Sequence, residues 1–189
     1  MGETLSDSTD ADRSRVWTIG HSTRTIADFQ ELLLLNAINN LVDVRSYPGS
    51  RRYPQFNQPE LSRAVNAAGI NYHHLTSLGG RRRPLPHSKN TAWRNESFRA
   101  YADHMDSDDF KKGINTLLEF AHRGHTVVMC AEAVWWKCHR GLIADYLKAK
   151  DIEVIHILDA RHNEPHPYTS AARIVEGELC YAGLLPVEA

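Results

Sequence analysis

The stretch Thr126–Arg140, T-V-V-M-C-A-E-A-V-W-W-K-C-H-R, changes character part-way along. Val127-Val128-Met129 is a short apolar run of the kind that forms a strand buried on both faces. Cys130 and Glu132 stand where that strand should end, and Cys138, His139 and Arg140 stand where the next helix is predicted to begin. In open parallel sheets, ligands bind beyond the carboxyl ends of the strands, where helix N-termini offer free N–H donors and partial positive charge. Two thiols, a carboxylate, an imidazole and a guanidinium are thus expected where α/β enzymes keep their chemistry.

Outward from this stretch, the chain alternates between short apolar runs and helical periodicity. Residues 16–19, 41–44, 70–75 and 152–157 read as further strands. Helices are expected after Ser22 or Thr23, from Pro59 to about Ala68, over 97–105 and 107–123, and from about Cys138 to Lys148. Residues 174–179 read as a hairpin turning at Gly177. Such alternation predicts an α/β fold: a single domain over 15–189, with a mainly parallel sheet of about five strands flanked by helices and a small C-terminal hairpin. Residues 1–14 read as a disordered leader. In this arrangement His21, the Arg45 loop and the Cys130 loop all follow strands and share one edge of the sheet.

The length of 189 residues suffices for one well-buried core. No apolar run is long enough to span a membrane, and the acidic N-terminus lacks the blocks of a secretory signal. A cytoplasmic location with reduced thiols is therefore expected, and the three cysteines show no disulfide-framework spacing. Charge is unevenly distributed. Between Arg45 and Arg99 there are nine arginines and one lysine against two glutamates, inside a chain whose net charge is −1. A surplus of this kind suits an anionic partner, although arginines also solvate long loops.

Five blocks carry a family resemblance: I-G-H-S-T-R-T (19–25), V-D-V-R-S-Y-P-G-S-R-R (42–52), L-G-G-R-R-R-P (78–84), W-R-N-E-S-F-R-A-Y-A-D (93–103) and M-C-A-E-A-V-W-W-K-C-H-R (129–140). In these the chain resembles the domain of unknown function 488 family, over roughly Val16 to Tyr181. The resemblance implies an α/β domain and signature positions at His21, Asp43, Arg45, Pro48, Arg51, Cys130, Glu132, Cys138, His139 and Arg140. It implies no activity.

The residues themselves suggest an enzyme, a hydrolase or transferase acting on a phosphate-bearing substrate, either nucleotide or nucleic acid. Glu132, Cys130, His139 and His21 are the candidate catalytic residues. Glu132, in a loop with Trp135 and Trp136, would be partly desolvated and suited to acid–base work, or would form an ion pair with Arg45 or Arg140. Arg45, Arg51, Arg52, Arg81 and Arg140 are candidate phosphate ligands, and Tyr47 and Trp93 are rings on which a base could stack. One alternative is thiol chemistry at Cys130, held as in rhodanese-like sulfurtransferases and cysteine phosphatases. Against it, Arg140 stands ten positions on and two tryptophans intervene, too long and bulky for a tight anion loop. Another is a non-catalytic nucleic-acid-binding module using residues 45–99. No cofactor is expected. No metal is expected either, because paired Cys-x-x-Cys spacing is missing and Cys138 and His139 would diverge on a helix.

Overall fold

The computed structural model describes residues 14–183; the leader expected over 1–14 falls almost wholly outside them. The elements run β1 (Arg15–Gly20), α1 (Ile26–Leu35), β2 (Asn40–Asp43), α2 (Gln58–Ala67), β3 (Asn71–His74), α3 (Glu96–Met105), α4 (Asp108–Arg123), β4 (Thr126–Cys130), α5 (Arg140–Ala149), β5 (Glu153–Ile157), β6 (Asn163–Pro165), β7 (Arg173–Val175) and β8 (Glu178–Cys180). The sheet order is β3-β2-β4-β1-β5-β6, with the first five strands parallel and β6 antiparallel at the edge. β7 and β8 form the C-terminal hairpin, turning through Glu176 and Gly177 at positive φ. The expected fold class is therefore found, with one strand more than the sequence announced. That strand, Asn-Glu-Pro, has no apolar pattern and pairs only through its backbone with Ile155–Ile157.

Side chains alternate across the sheet with the two-residue period of a strand. On β4, Val127 and Met129 join Phe29, Leu32 and Leu33 of α1 and Leu61 and Val65 of α2. Val128 and Cys130 join the opposite layer, built on Tyr101 of α3, Phe110 and Leu117 of α4, and Leu142 and Leu147 of α5. Burial on both faces explains why the central strands read as continuous apolar runs. Helix entry is capped by side chains at three points: Thr25 for α1, Asn95 for α3 and Ser107 for α4. Thr25 takes the role expected of Ser22 or Thr23. Among the described residues, no helix is long and apolar enough to cross a membrane.

The layer against α5 also holds a buried polar chain. Thr18 Oγ1 lies 2.6 Å from His156 Nδ1, His156 Nε2 lies 2.8 Å from His166 Nδ1, and His166 Nε2 lies 2.9 Å from Asp145 Oδ1. Asp145 also accepts from the Thr169 amide and hydroxyl and from the Tyr181 hydroxyl. The chain joins β1, β5, α5 and the segments around β6 and after β8, and no local sequence pattern announces it.

Candidate functional site

A cleft of about 630 Å³ opens over the carboxyl ends of β1, β2 and β4. Its floor comes from the end of β4 and the start of α5. Between them the chain makes a short 3₁₀ turn over Trp135–Lys137, then passes through Cys138 in an extended conformation (φ −134°, ψ 145°). His139 caps α5 and the helix proper begins at Arg140. The expectation that Cys138 and His139 diverge on a helix is corrected by this: they precede it. As a result the sulfurs of Cys130 and Cys138 and a ring nitrogen of His139 all lie within 4.8 Å of one another.

The His139 ring is held from several sides. Nε2 lies 3.1 Å from the Val44 carbonyl, which can only accept, so Nε2 carries a proton and Nδ1 is the nitrogen that faces the sulfurs, an acceptor when the ring is neutral. Nδ1 is 3.7 Å from Cys138 Sγ and 3.9 Å from Cys130 Sγ. Tyr101 packs against one side of the ring, and its hydroxyl donates to the Leu78 carbonyl. Gly80 lies so close that a Cβ there would come within 2.4 Å of Nδ1. The glycine of the L-G-G-R block is thus needed for close approach to the imidazole.

The two thiols differ. The neighbouring Cys138 thiol foremost, and burial with it, raise Cys130 far above the ordinary thiol range. Burial would raise Cys138 as well, but the neighbouring Cys130 thiol and the nearby guanidinium and N–H of Arg140 outweigh it and bring Cys138 down to about 7.

The arginines expected to hold phosphate divide into two groups. Arg140 is 1% exposed and points away from solvent. Its Nη1 and Nη2 donate to the carbonyls of Glu132 and Ala133 at 2.6 and 2.8 Å, clamping the Cys130 loop. Arg45 lines the cleft but its donors are committed: Nε and Nη2 to Asp43, Nη1 to the Phe56 carbonyl and toward His21 Nε2. Tyr72 donates to the same Asp43 carboxylate. Arg81 is exposed, lines the cleft and stands 5.5 Å over the ring of Tyr47. Arg51 and Arg52 are exposed but do not line the cleft. Trp93 lies elsewhere, packed against Phe98 and Tyr181.

Glu132 lines the cleft with its side chain exposed. The tryptophans do not enclose it. Trp135 is turned inward, stacked on His156 at 4.7 Å with its Nε1–H on Glu164, and Trp136 is half exposed. No ion pair joins Glu132 to Arg45 or Arg140, which reaches only its backbone carbonyl. Lys137, which sequence reasoning passed over, lines the cleft as well. Its sequence setting beside two tryptophans gave no sign of this.

His21 is buried and stacked on Phe56 at 4.2 Å. Its Nδ1–H donates to the Ser22 carbonyl at 2.9 Å. Burial foremost, with the Arg45 charge adding to it, lowers His21 to about 4 from 6.5, so it is a neutral acceptor for Arg45 at physiological pH. Between pH 6.5 and 4 the unfolded chain takes up a proton that the folded chain refuses, so stability is full above 6.5 and falls with acid. Moving from pH 7 to 4.5 should cost about 2–3 kcal/mol from His21 alone. Urea denaturation across that range should show the loss, and His21→Gln should remove this part of it. A flat profile would contradict the burial of a neutral imidazole here.

With this geometry in hand, comparison with known proteins adds a family but no activity. The family model described as Domain of unknown function DUF488 matches residues 25–147, well over half of the chain. The chain belongs to the DUF488 family. The DUF488 match takes in Arg45, Arg81, Cys130, Glu132, Cys138 and His139 and begins after His21. No curated protein and no solved structure matches the chain.

Proposed function

We propose that the cleft is the active site of a hydrolase or transferase acting on a phosphate-bearing substrate, a nucleotide or a nucleic acid. One observation carries this reading. Arg81 and Lys137, which pair with no described carboxylate, share an opening with Cys130, Cys138, His139 and Glu132. A phosphate can take charge-assisted hydrogen bonds from both cations, and the exposed ring of Tyr47 beside Arg81 suits a base. Glu132 supplies a carboxylate for acid–base work in the same space. In this reading Arg45 and Arg140 hold the floor rather than the substrate. Nucleophilic chemistry at Cys130 has less support, since the neighbouring Cys138 thiol and burial raise its pKa.

A thermal-shift screen of nucleotides, oligonucleotides and sugar phosphates tests the reading. A ligand present at 100 times its Kd should stabilise the fold by about 2.7 kcal/mol. Replacing Arg81 and Lys137 with Ala should abolish that shift for a mononucleotide. Glu132→Gln should leave it intact and lower turnover of the identified ligand by about 100-fold to 10,000-fold. If the substrate is a polymer, replacing Arg51, Arg52 and Arg83 outside the cleft should flatten the salt dependence of oligonucleotide affinity. If no phosphate-bearing compound raises the melting temperature, the reading fails.

A further inference from the structure

We propose that Cys130, Cys138 and His139 form a zinc site with one coordination position open to the cleft. The inference rests on donor chemistry and geometry. Two sulfurs and an imidazole nitrogen lie within 4.8 Å of one another, drawn from the end of β4 and from the two residues before α5. A tetrahedral Zn²⁺ with bonds of about 2.3 Å to sulfur and 2.0 Å to nitrogen places sulfur and nitrogen roughly 3.5 Å apart. The observed separations of 3.7 and 3.9 Å need only a small adjustment to meet that.

Features around the cluster favour a metal over a packed pair of thiols. The Val44 carbonyl takes the Nε2 proton of His139 and fixes the tautomer in which Nδ1 is the ligand, the usual outer-shell arrangement for a metal-bound histidine. Gly80 is the one residue type that lets the 78–81 loop lie against that ring. The donor set selects the ion: two sulfurs with one imidazole suit zinc, whereas magnesium and calcium demand oxygen. Among the described residues the cluster contains no fourth His, Cys, Asp or Glu. All three donors line the cleft. Three protein ligands with an open fourth position is the pattern of catalytic rather than structural zinc, and that position can take a water or a substrate oxygen. Glu132 borders the same space. The inference gives a Lewis acid to the site proposed above and rests on that reading only for its substrate.

Metal content of the reduced, full-length protein after zinc loading and desalting tests it, with cobalt substitution as the spectroscopic readout. One zinc per chain is expected. Cobalt should give an intense thiolate-to-metal charge-transfer band and the visible bands of tetrahedral coordination. Cys138→Ser should weaken zinc binding more than about 100-fold in competition with a chelator, beyond the usual effect of losing an outer-shell partner. Gly80→Ala, which leaves every ligand in place but crowds His139, should weaken it too, while Cys180→Ser should not. Circular dichroism of each metal-free variant checks that the fold is retained. Zinc well below one per chain, a cobalt spectrum without the thiolate band, or equal affinity in Cys138→Ser and Cys180→Ser would overturn the site. These measurements need no substrate, and the nucleotide screen can be run on metal-free protein, so failure of either proposal is seen separately.

Discussion

Asp145→Ala should cost about 4 kcal/mol of folding stability, a large share of the roughly 5–15 kcal/mol typical of a domain. Asp145 and His166 are both fully buried, and the carboxylate accepts from four donors: the His166 ring, the Thr169 amide, the Thr169 hydroxyl and the Tyr181 hydroxyl. Alanine leaves all four buried without their acceptor, and each unsatisfied buried donor costs about 1–3 kcal/mol, less whatever relaxation recovers. Asp145→Asn would be no rescue, because an amide offers one acceptor oxygen where two are used and presents an N–H₂ to donors. The damage should spread along the chain of rings. His166 orients His156, and His156 stacks on Trp135 of the Cys130 loop. Tryptophan fluorescence should therefore shift before the far-ultraviolet signal is lost. Chemical denaturation gives the number, and a loss under about 1 kcal/mol would mean that the network is not held as described.

The second large effect is expected at Gly20. It is the last residue of β1 and pairs with Cys130 across the sheet. A Cβ there would lie 1.8 Å from the Glu132 carbonyl oxygen and 2.7 Å from its carbon. That obstacle is backbone, not a side chain that can swing away. It is also clamped, since the Glu132 and Ala133 carbonyls are those gripped by Arg140. Gly20→Ala must push this peptide outward and strip a buried guanidinium of its acceptors. Ordinary overpacking costs about 1–3 kcal/mol, and the unpaired charge adds to it, so a loss of about 3 kcal/mol or more is expected. The displaced loop should also spoil the Cys130–Cys138–His139 geometry, giving weaker metal binding in the fraction that still folds. Gly20→Ala within about 0.5 kcal/mol of the parent protein would show that the loop is soft.

How much of this was legible beforehand depends on the range of the interaction concerned. The buried strand Thr126–Cys130, the glycine turn at Gly177 and the edge that gathers His21, Arg45 and Cys130 follow from apolar periodicity and chain direction. These are local properties, because a strand's two-residue alternation and a turn's backbone angles are set within a few residues. The fold class and the family blocks belong with them. Which donors each arginine satisfies does not. Arg45 and Arg140 have the composition of phosphate ligands, yet Asp43 and two backbone carbonyls of the Cys130 loop take their N–H groups first. A buried guanidinium must be paired wherever the chain's path offers acceptors, and that path is not written in the residues beside it. Likewise, helical spacing would separate Cys138 from His139. They converge because the helix begins only at Arg140, after an extended residue and a capping one. The chain from Thr18 through His156 and His166 to Asp145 draws on four separate segments, and only tertiary packing, which forces buried polar atoms to find one another, brings them together.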